Sequence, residues 1–148
     1  RPAMTPQLRA EKSAAAMWST DTASQSLGMR IDHIAPGAAD LSMVVTAAML
    51  NGHGIAHGGY IFTLADSAFA FACNSYNQLA VAQQNQISYL APGKAGERLQ
   101  AAAREQSRTG RSGVYDVTVT GEDGRTIALF RGLSRTIKGH HFEEEMTP

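Results

Sequence analysis

Asp66 is the residue in the middle of this chain whose chemistry stands out. Between Leu41 and Gly93 it is the single formally charged side chain, in a protein where 18% of residues are charged. It lies within Tyr60–Cys73, a segment apolar nearly all round, which is typical of a buried helix. A buried charge costs free energy unless it is paired, hydrogen-bonded or used. A carboxylate there could act as a nucleophile or as a general base for water.

Two structural explanations of Asp66 stay open at this point. The acid could lie on a narrow, solvent-exposed stripe of the helix. It could also be a structural acid that is hydrogen-bonded to Ser67, to Asn74 or to a loop N–H. Isolated acids on apolar helices nevertheless tend to mark functional sites.

The tripeptide His57-Gly58-Gly59 stands where the apolar helix should begin. Glycines allow a ligand to approach the backbone, and the first N–H groups of a helix have no internal partner. A carbonyl oxygen or developing oxyanion placed there would be stabilised, and losing one such donor typically costs ~2.7–4 kcal/mol of transition-state binding. Alternatively, the glycines only permit tight packing between the loop and the helix.

The spacing between these two features sets a geometric condition. Asp66 follows Gly58 by eight residues, or ~12 Å along a helix axis. An acid that far along a helix does not easily meet an oxyanion at the start of the same helix. The two groups could meet if helices of two subunits pack antiparallel, so the spacing favours a site shared between subunits.

Other polar groups near these positions give weaker indications. Asn51, His53 and His57 flank a glycine-rich loop, where hydrogen-bonding roles are favoured over zinc binding because no carboxylate or thiolate lies nearby. The segment Arg108–Gly113 is a basic turn that could bind phosphate through its arginines and its N–H groups. Surface turns also contain Arg and Gly for solubility and geometry alone, so that alternative remains.

The elements that must position these residues follow from periodicity and turn signals. A helix is expected over 7–18, a loop over 51–57, and the long apolar helix from 58 to about 76. The strand-like segments are 26–37 (weak), 39–46, 81–90, 98–108, 113–120 and 126–137. This order predicts an α+β fold in which a curved, mostly antiparallel sheet wraps around one long central helix. Residues 138–148 are expected to be frayed, with His140 and His141 at the surface.

Composition limits the classes of function that need to be considered. A chain of 148 residues is expected to form one domain over 1–148, and its formal net charge of zero gives no reason to expect a nucleic-acid partner. The local excess of basic residues between Lys94 and Lys138 favours an anionic ligand. Cys73 is the single cysteine, which fits a reducing compartment. With no membrane span or signal peptide in the pattern, a cytoplasmic protein is expected.

The spacing Asn51-x-x-x-x-x-His57-Gly58-Gly59, followed by Asp66, resembles the hotdog-fold acyl-CoA thioesterases, specifically the PaaI type of phenylacetate degradation. Further stretches look like the same subfamily, and the resemblance extends over about residues 10–138. These stretches are Gln86-Ile-Ser-Tyr-Leu-Ala-Pro92, Gly113-Val-Tyr-Asp-Val-Thr-Val, Asp123-Gly-Arg and Phe130-Arg-Gly.

The resemblance implies a role for each part of the site. The backbone N–H of Gly58 would polarise the thioester carbonyl, and Asp66 would come from the other subunit as nucleophile or general base. Asn51 and His57 would position the thioester or the attacking water. Contacts with the rest of the substrate are expected from Gly59, Tyr60 and Ser67, and contacts with coenzyme A from Arg111, then Arg108, Gly110 and Ser112.

The expected activity is hydrolysis of an acyl-CoA, with an aryl-acetyl group as the acyl part, by a homotetramer built as a dimer of dimers. No metal or prosthetic group is expected, because coenzyme A belongs to the substrate. One rival hypothesis is an acyl-CoA-binding sensor without turnover. Another is a hotdog enoyl-CoA hydratase, which would leave the thioester intact.

Overall fold

The computed structural model describes residues 3–144 and has the predicted α+β architecture. Three helices are present in this range, α1 (Pro6–Trp18), α2 (Thr22–Ser26) and α3 (Gly58–Cys73), together with a short 3-10 turn at Ala47–Met49. The strands are β1 (Arg30–Ala35), β2 (Ala38–Val44), β3 (Ala80–Tyr89), β4 (Arg98–Thr109), β5 (Ser112–Thr120) and β6 (Thr126–Thr136). They form one sheet in the order β1-β2-β4-β5-β6-β3, and every neighbouring pair is antiparallel.

The central helix α3 packs on the inner face of this sheet, as its composition predicts. Its buried residues include Leu64, Ala68, Phe69 and Ala72, all at most 1% exposed. The fit is close: a Cβ added at Gly132 on β6 would lie 2.7 Å from the Phe69 ring. The absence of a side chain at Gly132 therefore allows the Phe69 ring of α3 to pack against the sheet.

One strand and one helix differ from their predicted bounds. The weak strand expected over 26–37 is shorter, because β1 begins at Arg30 and is preceded by α2. This five-residue helix is too short to show a period, and the side chain of Asp21 caps it by accepting from the Ser24 N–H over 2.9 Å. Helix α3 ends at Cys73 instead of residue 76, with Asn74 as its C-cap.

The prediction of a frayed C-terminal segment is wrong for residues 140–144. The side chain of Asn77 accepts hydrogen bonds from the His141 N–H over 2.9 Å and the Phe142 N–H over 3.1 Å. Glu144 pairs with Arg9 of α1 over 2.8 Å. His141 is also half-buried, not at the surface, because its ring lies 2.9 Å from the Asn74 side chain. Residues 145–148, which were included in that prediction, lie outside the described residues.

A buried ion pair joins the start of β4 to the turn before β6. The Arg125 guanidinium donates to both carboxylate oxygens of Glu97 over 2.6 and 2.7 Å, and the Glu97 side chain is 7% exposed. Glu97 also accepts from the backbone N–H groups of Lys94 and Glu122. These hydrogen bonds, those of Arg125 above all, lower the pKa of the Glu97 carboxyl to about 2.

The two edges of the sheet differ in their cover. Helix α1 packs against β1 at one edge. At the other edge, no strand within residues 3–144 pairs with the outer side of β3. The β3 sequence Ala-Val-Ala-Gln-Gln-Asn-Gln-Ile-Ser-Tyr contains no charge and no proline. Natural proteins normally protect such an edge with those residues. In the same part of the chain, no helix has the length and apolar character needed to cross a membrane.

Candidate active site

Helix α3 begins at Gly58, where the sequence predicted its start, and His57 forms several hydrogen bonds there. His57 is the N-cap residue, and its ring Nδ1 accepts a hydrogen bond from the Gly59 N–H over 2.9 Å. Its carbonyl oxygen accepts from the Tyr60 N–H over 3.0 Å, and its own N–H donates to Met49 over 2.8 Å. Because Nδ1 acts as an acceptor, the neutral ring carries its proton on Nε2.

This arrangement leaves one N–H group at the helix start without an acceptor. The N–H groups of His57, Gly59 and Tyr60 are all occupied, whereas that of Gly58 donates no hydrogen bond within residues 3–144. Gly58 is half-buried, and its N–H lies at the positive end of the helix dipole. It is therefore the one donor of the four at this end that can polarise a carbonyl oxygen.

Gly58 is also restricted by packing. The hydroxyl of Tyr89 on β3 donates to the Gly58 carbonyl oxygen over 3.0 Å. A Cβ at position 58 would lie 3.1–3.3 Å from three atoms of the Tyr89 side chain. Gly58 therefore permits tight packing against Tyr89, which is one explanation that the sequence left open. The same residue also keeps its N–H unoccupied, so the packing and ligand-binding explanations are compatible.

Asn51 holds the loop that leads to the helix. Its side-chain oxygen accepts from the His53 N–H over 2.9 Å, and its backbone N–H donates to the Ile55 carbonyl oxygen over 2.9 Å. The side-chain amide nitrogen of Asn51 donates to no residue within 3–144, so this group remains available to a ligand. No group of three His, Cys, Asp or Glu residues in the described part of the chain could hold a metal ion.

Asp66 is half-buried on α3 and has one hydrogen-bond partner within residues 3–144, the amide nitrogen of Asn85 at 3.0 Å. Neither alternative from the sequence describes it, because the acid does not lie on an exposed stripe and does not bond to Ser67, Asn74 or a loop N–H. Burial raises the pKa of the Asp66 carboxyl above its ordinary value, and the hydrogen bond from Asn85 partly offsets that effect. A carboxylate with a raised pKa is a stronger base.

Tyr60 lies near the start of α3, and Ser67 directly follows Asp66 on the same helix. The Tyr60 ring makes an edge-to-face contact with the His57 ring, with centroids 6.2 Å apart. The Ser67 hydroxyl lies 2.8 Å from that of Ser24 in α2, so it faces a different neighbour from Asp66. Contact of either residue with substrate remains a prediction.

The basic turn between β4 and β5 lies near the other end of α3. It is a two-residue hairpin in which Gly110 has a φ of +60°, and its arginines are exposed. The Arg108 guanidinium lies 3.6 Å above the Tyr76 ring, and Arg111 donates to the Thr136 carbonyl oxygen over 3.0 and 3.2 Å. Ser112 is exposed beside them.

Within one protomer the predicted residues form separate groups. Asn51, His57, Gly58, Gly59 and Tyr60 gather at the start of α3. Asp66 lies ~12 Å along the axis from Gly58, and the arginine turn lies near Cys73 at the far end of the helix, which is ~22 Å along the axis from Gly58. In the isolated chain, Asp66 and the N–H of Gly58 are therefore too far apart to act on the same carbonyl group, as their spacing in the sequence indicated.

Sequence reasoning missed Asn85. The signal was present in the alternation of β3, because residues 85, 87 and 89 point to the same face of a strand. Tyr89 contacts Gly58, and Asn85 lies two side chains before Tyr89 on the same face of β3, the face that meets α3.

Comparisons with known proteins agree with this fold and identify the family. The Thioesterase superfamily model matches residues 53–128. The acyl-coenzyme A thioesterase PaaI of Escherichia coli (strain K12) is 44% identical over 131 residues, which are 88% of this chain and 94% of that protein. The structure of the E. coli PaaI protein from the phenylacetic acid degradation operon has a TM-score of 0.90 at 43% identity, covering 92% of this chain and 99% of that chain.

A hypothetical thioesterase from Streptococcus pneumoniae TIGR4, crystallised with coenzyme A, is 28% identical with a TM-score of 0.72, covering 76% of this chain and 90% of that chain. The sheet wrapped on α3 is that of a hotdog-fold protein. The chain belongs to the thioesterase superfamily, and within it to the PaaI type. The resemblance drawn from the sequence and the assignment as a thioester hydrolase are both confirmed.

Proposed function

We propose that this thioesterase hydrolyses acyl-CoA esters to the free acid and coenzyme A, with an aryl-acetyl group of the phenylacetyl or hydroxyphenylacetyl kind as the acyl part. In the net reaction the oxygen of water becomes bonded to the acyl carbon, the carbon–sulfur bond breaks, and a proton goes to the sulfur. The E. coli relative is named an acyl-coenzyme A thioesterase from a phenylacetic acid degradation operon, which supports this choice.

The observation that carries the proposal is the unoccupied N–H of Gly58 at the start of α3. A thioester oxygen placed there would accept from a preorganised donor, and the bond would strengthen as negative charge develops. His57 is the N-cap residue directly before Gly58, and Asn51 holds the loop that leads to it, so their unused side-chain nitrogens could orient the thioester or the water.

Asp66 would supply the second half of the chemistry. Its partial burial raises the basicity of the carboxylate, so that it can take a proton from water or attack the acyl carbon directly. A metal or prosthetic group has no part in this scheme, since water, a carboxylate and an N–H donor supply every group needed.

The two halves would come together in a dimer. The outer edge of β3 has no strand partner within residues 3–144 and carries ten uncharged residues. Antiparallel pairing of this edge with a second copy would extend the sheet and place the two α3 helices side by side in opposite directions. Asp66 would then approach Gly58 of the partner subunit. Pairing of two such dimers into a tetramer is part of the same proposal.

The coenzyme A end would meet the basic turn. Arg111 and Arg108 are exposed, and Gly110 and Ser112 add backbone N–H groups and a hydroxyl that can contact phosphate. The coenzyme A found with the S. pneumoniae protein supports this class of ligand. A cytoplasmic location is also proposed, consistent with a free, buried thiol at Cys73.

The deciding experiment measures free-thiol release from phenylacetyl-, hydroxyphenylacetyl- and hexanoyl-CoA, for the wild type and for Asp66→Ala. The wild type should be fastest on the aryl-acetyl esters, and Asp66→Ala should lose at least ~10²-fold in kcat. The exposed acid variant Asp32→Asn is a matched control and should keep full activity.

Each other result has a distinct meaning. Equal rates on hexanoyl-CoA would remove the aryl-acetyl preference and leave the hydrolase. Binding without thiol release would favour the sensor hypothesis. Addition of water to an enoyl-CoA with the thioester intact would favour the hydratase.

A further inference from the structure

The side-chain amide of Asn85 lies between the edge strand and the acid of the central helix. Its Nδ2 donates to Oδ1 of Asp66 over 3.0 Å, from β3 to α3. Asn85 pairs across the sheet with Gly132, which has no side chain, so the space on the inner face beside it is left to Phe69 of α3. The amide is therefore held in a largely apolar part of the molecule.

The other end of the same amide has an unusual environment. Among the described residues, Oδ1 of Asn85 is the one buried side-chain oxygen or nitrogen that has no hydrogen-bond partner. Such an atom costs free energy, and native structures rarely retain one without a reason. Rotating the amide would point this oxygen at the Asp66 carboxylate, where two acceptors would repel each other unless Asp66 were protonated. The observed orientation is thus the one that ionised Asp66 requires.

The charged and titratable groups around Asp66 do not replace this contact. Cys73 lies two turns along α3, and the Asp66 charge contributes to the raised pKa of its thiol. At the N-cap of α2, Asp21 accepts a hydrogen bond from the hydroxyl of Ser24, which contacts Ser67. Burial and the Asn85 hydrogen bond are the two causes that act on the pKa of Asp66 itself.

The groups on the sheet strands are engaged elsewhere. Tyr115 of β5 packs on the Phe69 ring and donates its hydroxyl to Glu105 of β4. Arg131 of β6, which is exposed, pairs with the partly exposed Asp116 of β5. On β3, the one polar side chain that meets Asp66 is that of Asn85.

We infer that Asn85 is a positioning residue for thioester hydrolysis: its amide holds Oδ1 of Asp66 and leaves Oδ2 as the oxygen that reacts. Oδ1 of Asn85 stays buried without a partner because Nδ2 of the same amide must donate to Asp66. The inference rests on the proposed function, in which Asp66 is the base or nucleophile.

The test compares wild type, Asn85→Leu and Asn85→Asp. Leucine has a similar volume and no donor, and aspartate has the same shape with a second negative charge. In both variants the midpoint of the acidic limb of the kcat/KM pH profile should move to higher pH, by about one pH unit for leucine and by more for aspartate. For Asn85→Leu we expect kcat to fall about 10-fold while KM changes less than about 3-fold, since Asn85 acts through Asp66.

The thermal midpoint separates this role from a structural one. Asn85→Leu removes a buried oxygen that has no partner, and it also removes the hydrogen bond to Asp66, so the two effects oppose each other and its thermal midpoint should stay close to that of the wild type. Gln86→Leu is the matched control, because Gln86 is the next residue, is exposed and points to the opposite face of β3. It should change neither kcat nor the pH profile.

A carboxyl carbon NMR titration of Asp66, assigned with Asp66→Asn, gives a readout that does not need activity. The pKa of Asp66 should be higher in Asn85→Leu than in the wild type. An unchanged acidic limb and kcat in Asn85→Leu would overturn the inference. If the wild type released no thiol from any ester, the proposed function would fail, and an unchanged Asp66 pKa would overturn the Asn85 contact separately.

Discussion

The hydroxyl group of Tyr89 donates a hydrogen bond to the carbonyl oxygen of Gly58 over 3.0 Å. Four residues earlier on the same strand, Asn85 holds Asp66. Four strand residues span ~13 Å and eight helix residues span ~12 Å, so β3 runs antiparallel along α3 and contacts both functional ends of it. The strand that would form the dimer is therefore also the strand that contacts both candidate residues, Gly58 and Asp66.

Mixing two inactive variants tests whether the site is shared between subunits. Asp66→Ala removes the acid, and Gly58→Val crowds the Tyr89 ring, so each protein alone should be nearly inactive. After unfolding and refolding together in equal amounts, random pairing should restore roughly a quarter of the wild-type activity, because one of the two sites in each mixed dimer is intact.

The control for this experiment is the double variant Asp66→Ala/Gly58→Val refolded with the wild type. Its mixed dimers contain no site with both groups intact, so it adds no activity beyond the wild-type dimers. If mixing the two single variants restored nothing although mixed dimers formed, the two groups would have to act within one chain.

Tyr89→Phe should lower kcat about 5-fold, because a neutral hydrogen bond contributes about 1 kcal/mol and its loss frees the first peptide of the helix to move. The phenyl ring remains, so packing against Gly58 is preserved. Steady-state kinetics on the preferred ester will measure this. Leu90→Ala, at an exposed neighbouring position, is the comparison and should leave kcat unchanged. A Tyr89→Phe enzyme with wild-type kcat would show that the Gly58 peptide needs no such restraint.

Arg111→Ala should raise KM for acyl-CoA about 10-fold with little change in kcat, since charge-assisted hydrogen bonds to phosphate would be lost. The same variant should hydrolyse the corresponding acyl-pantetheine, which has no nucleotide, as well as the wild type does. Arg131→Ala removes an exposed arginine from the sheet surface and serves as control. An equal loss on both substrates would mean that Arg111 acts by holding the hairpin through Thr136.

Glu97→Gln should destabilise the protein at neutral pH by about 2 kcal/mol, because hydrogen bonds between charged groups are lost around a buried side chain. The carboxyl has a folded-state pKa of about 2 against an ordinary value of 4.5. Its contribution is therefore fully present above about pH 4.5 and is lost as the pH falls towards 2. Urea unfolding at pH 7, 4 and 3 should show the difference from wild type shrinking, whereas exposed Glu11→Gln should show little difference throughout. A difference independent of pH would assign the effect to shape instead of charge.

Much of the fold could be predicted because its signals are local. The apolar run after Gly58, the alternation in β5 and the turn residues between strands each report the environment of their own segment. The same is true of Asp66: a lone acid within a buried helix is visible without any knowledge of its neighbours. Helix α2 was not predicted because it is too short to show a hydrophobic period. The order of residues 140–144 was not predicted because it depends on contacts with distant residues such as Asn77 and Arg9.

The sequence by itself determined the helix, the glycines at its start and the acid eight residues later, since these follow from hydrophobic pattern and spacing along one element. Only the tertiary structure decided which N–H stays open and which residue holds the acid. The first depends on where the His57 ring turns at the cap. The second depends on how β3 folds back along α3, which brings Asn85 to Asp66 across 19 positions of sequence. The alternation of β3 indicates which face of the strand Asn85 shares, but only the packing of the two elements decides which residue of α3 it meets.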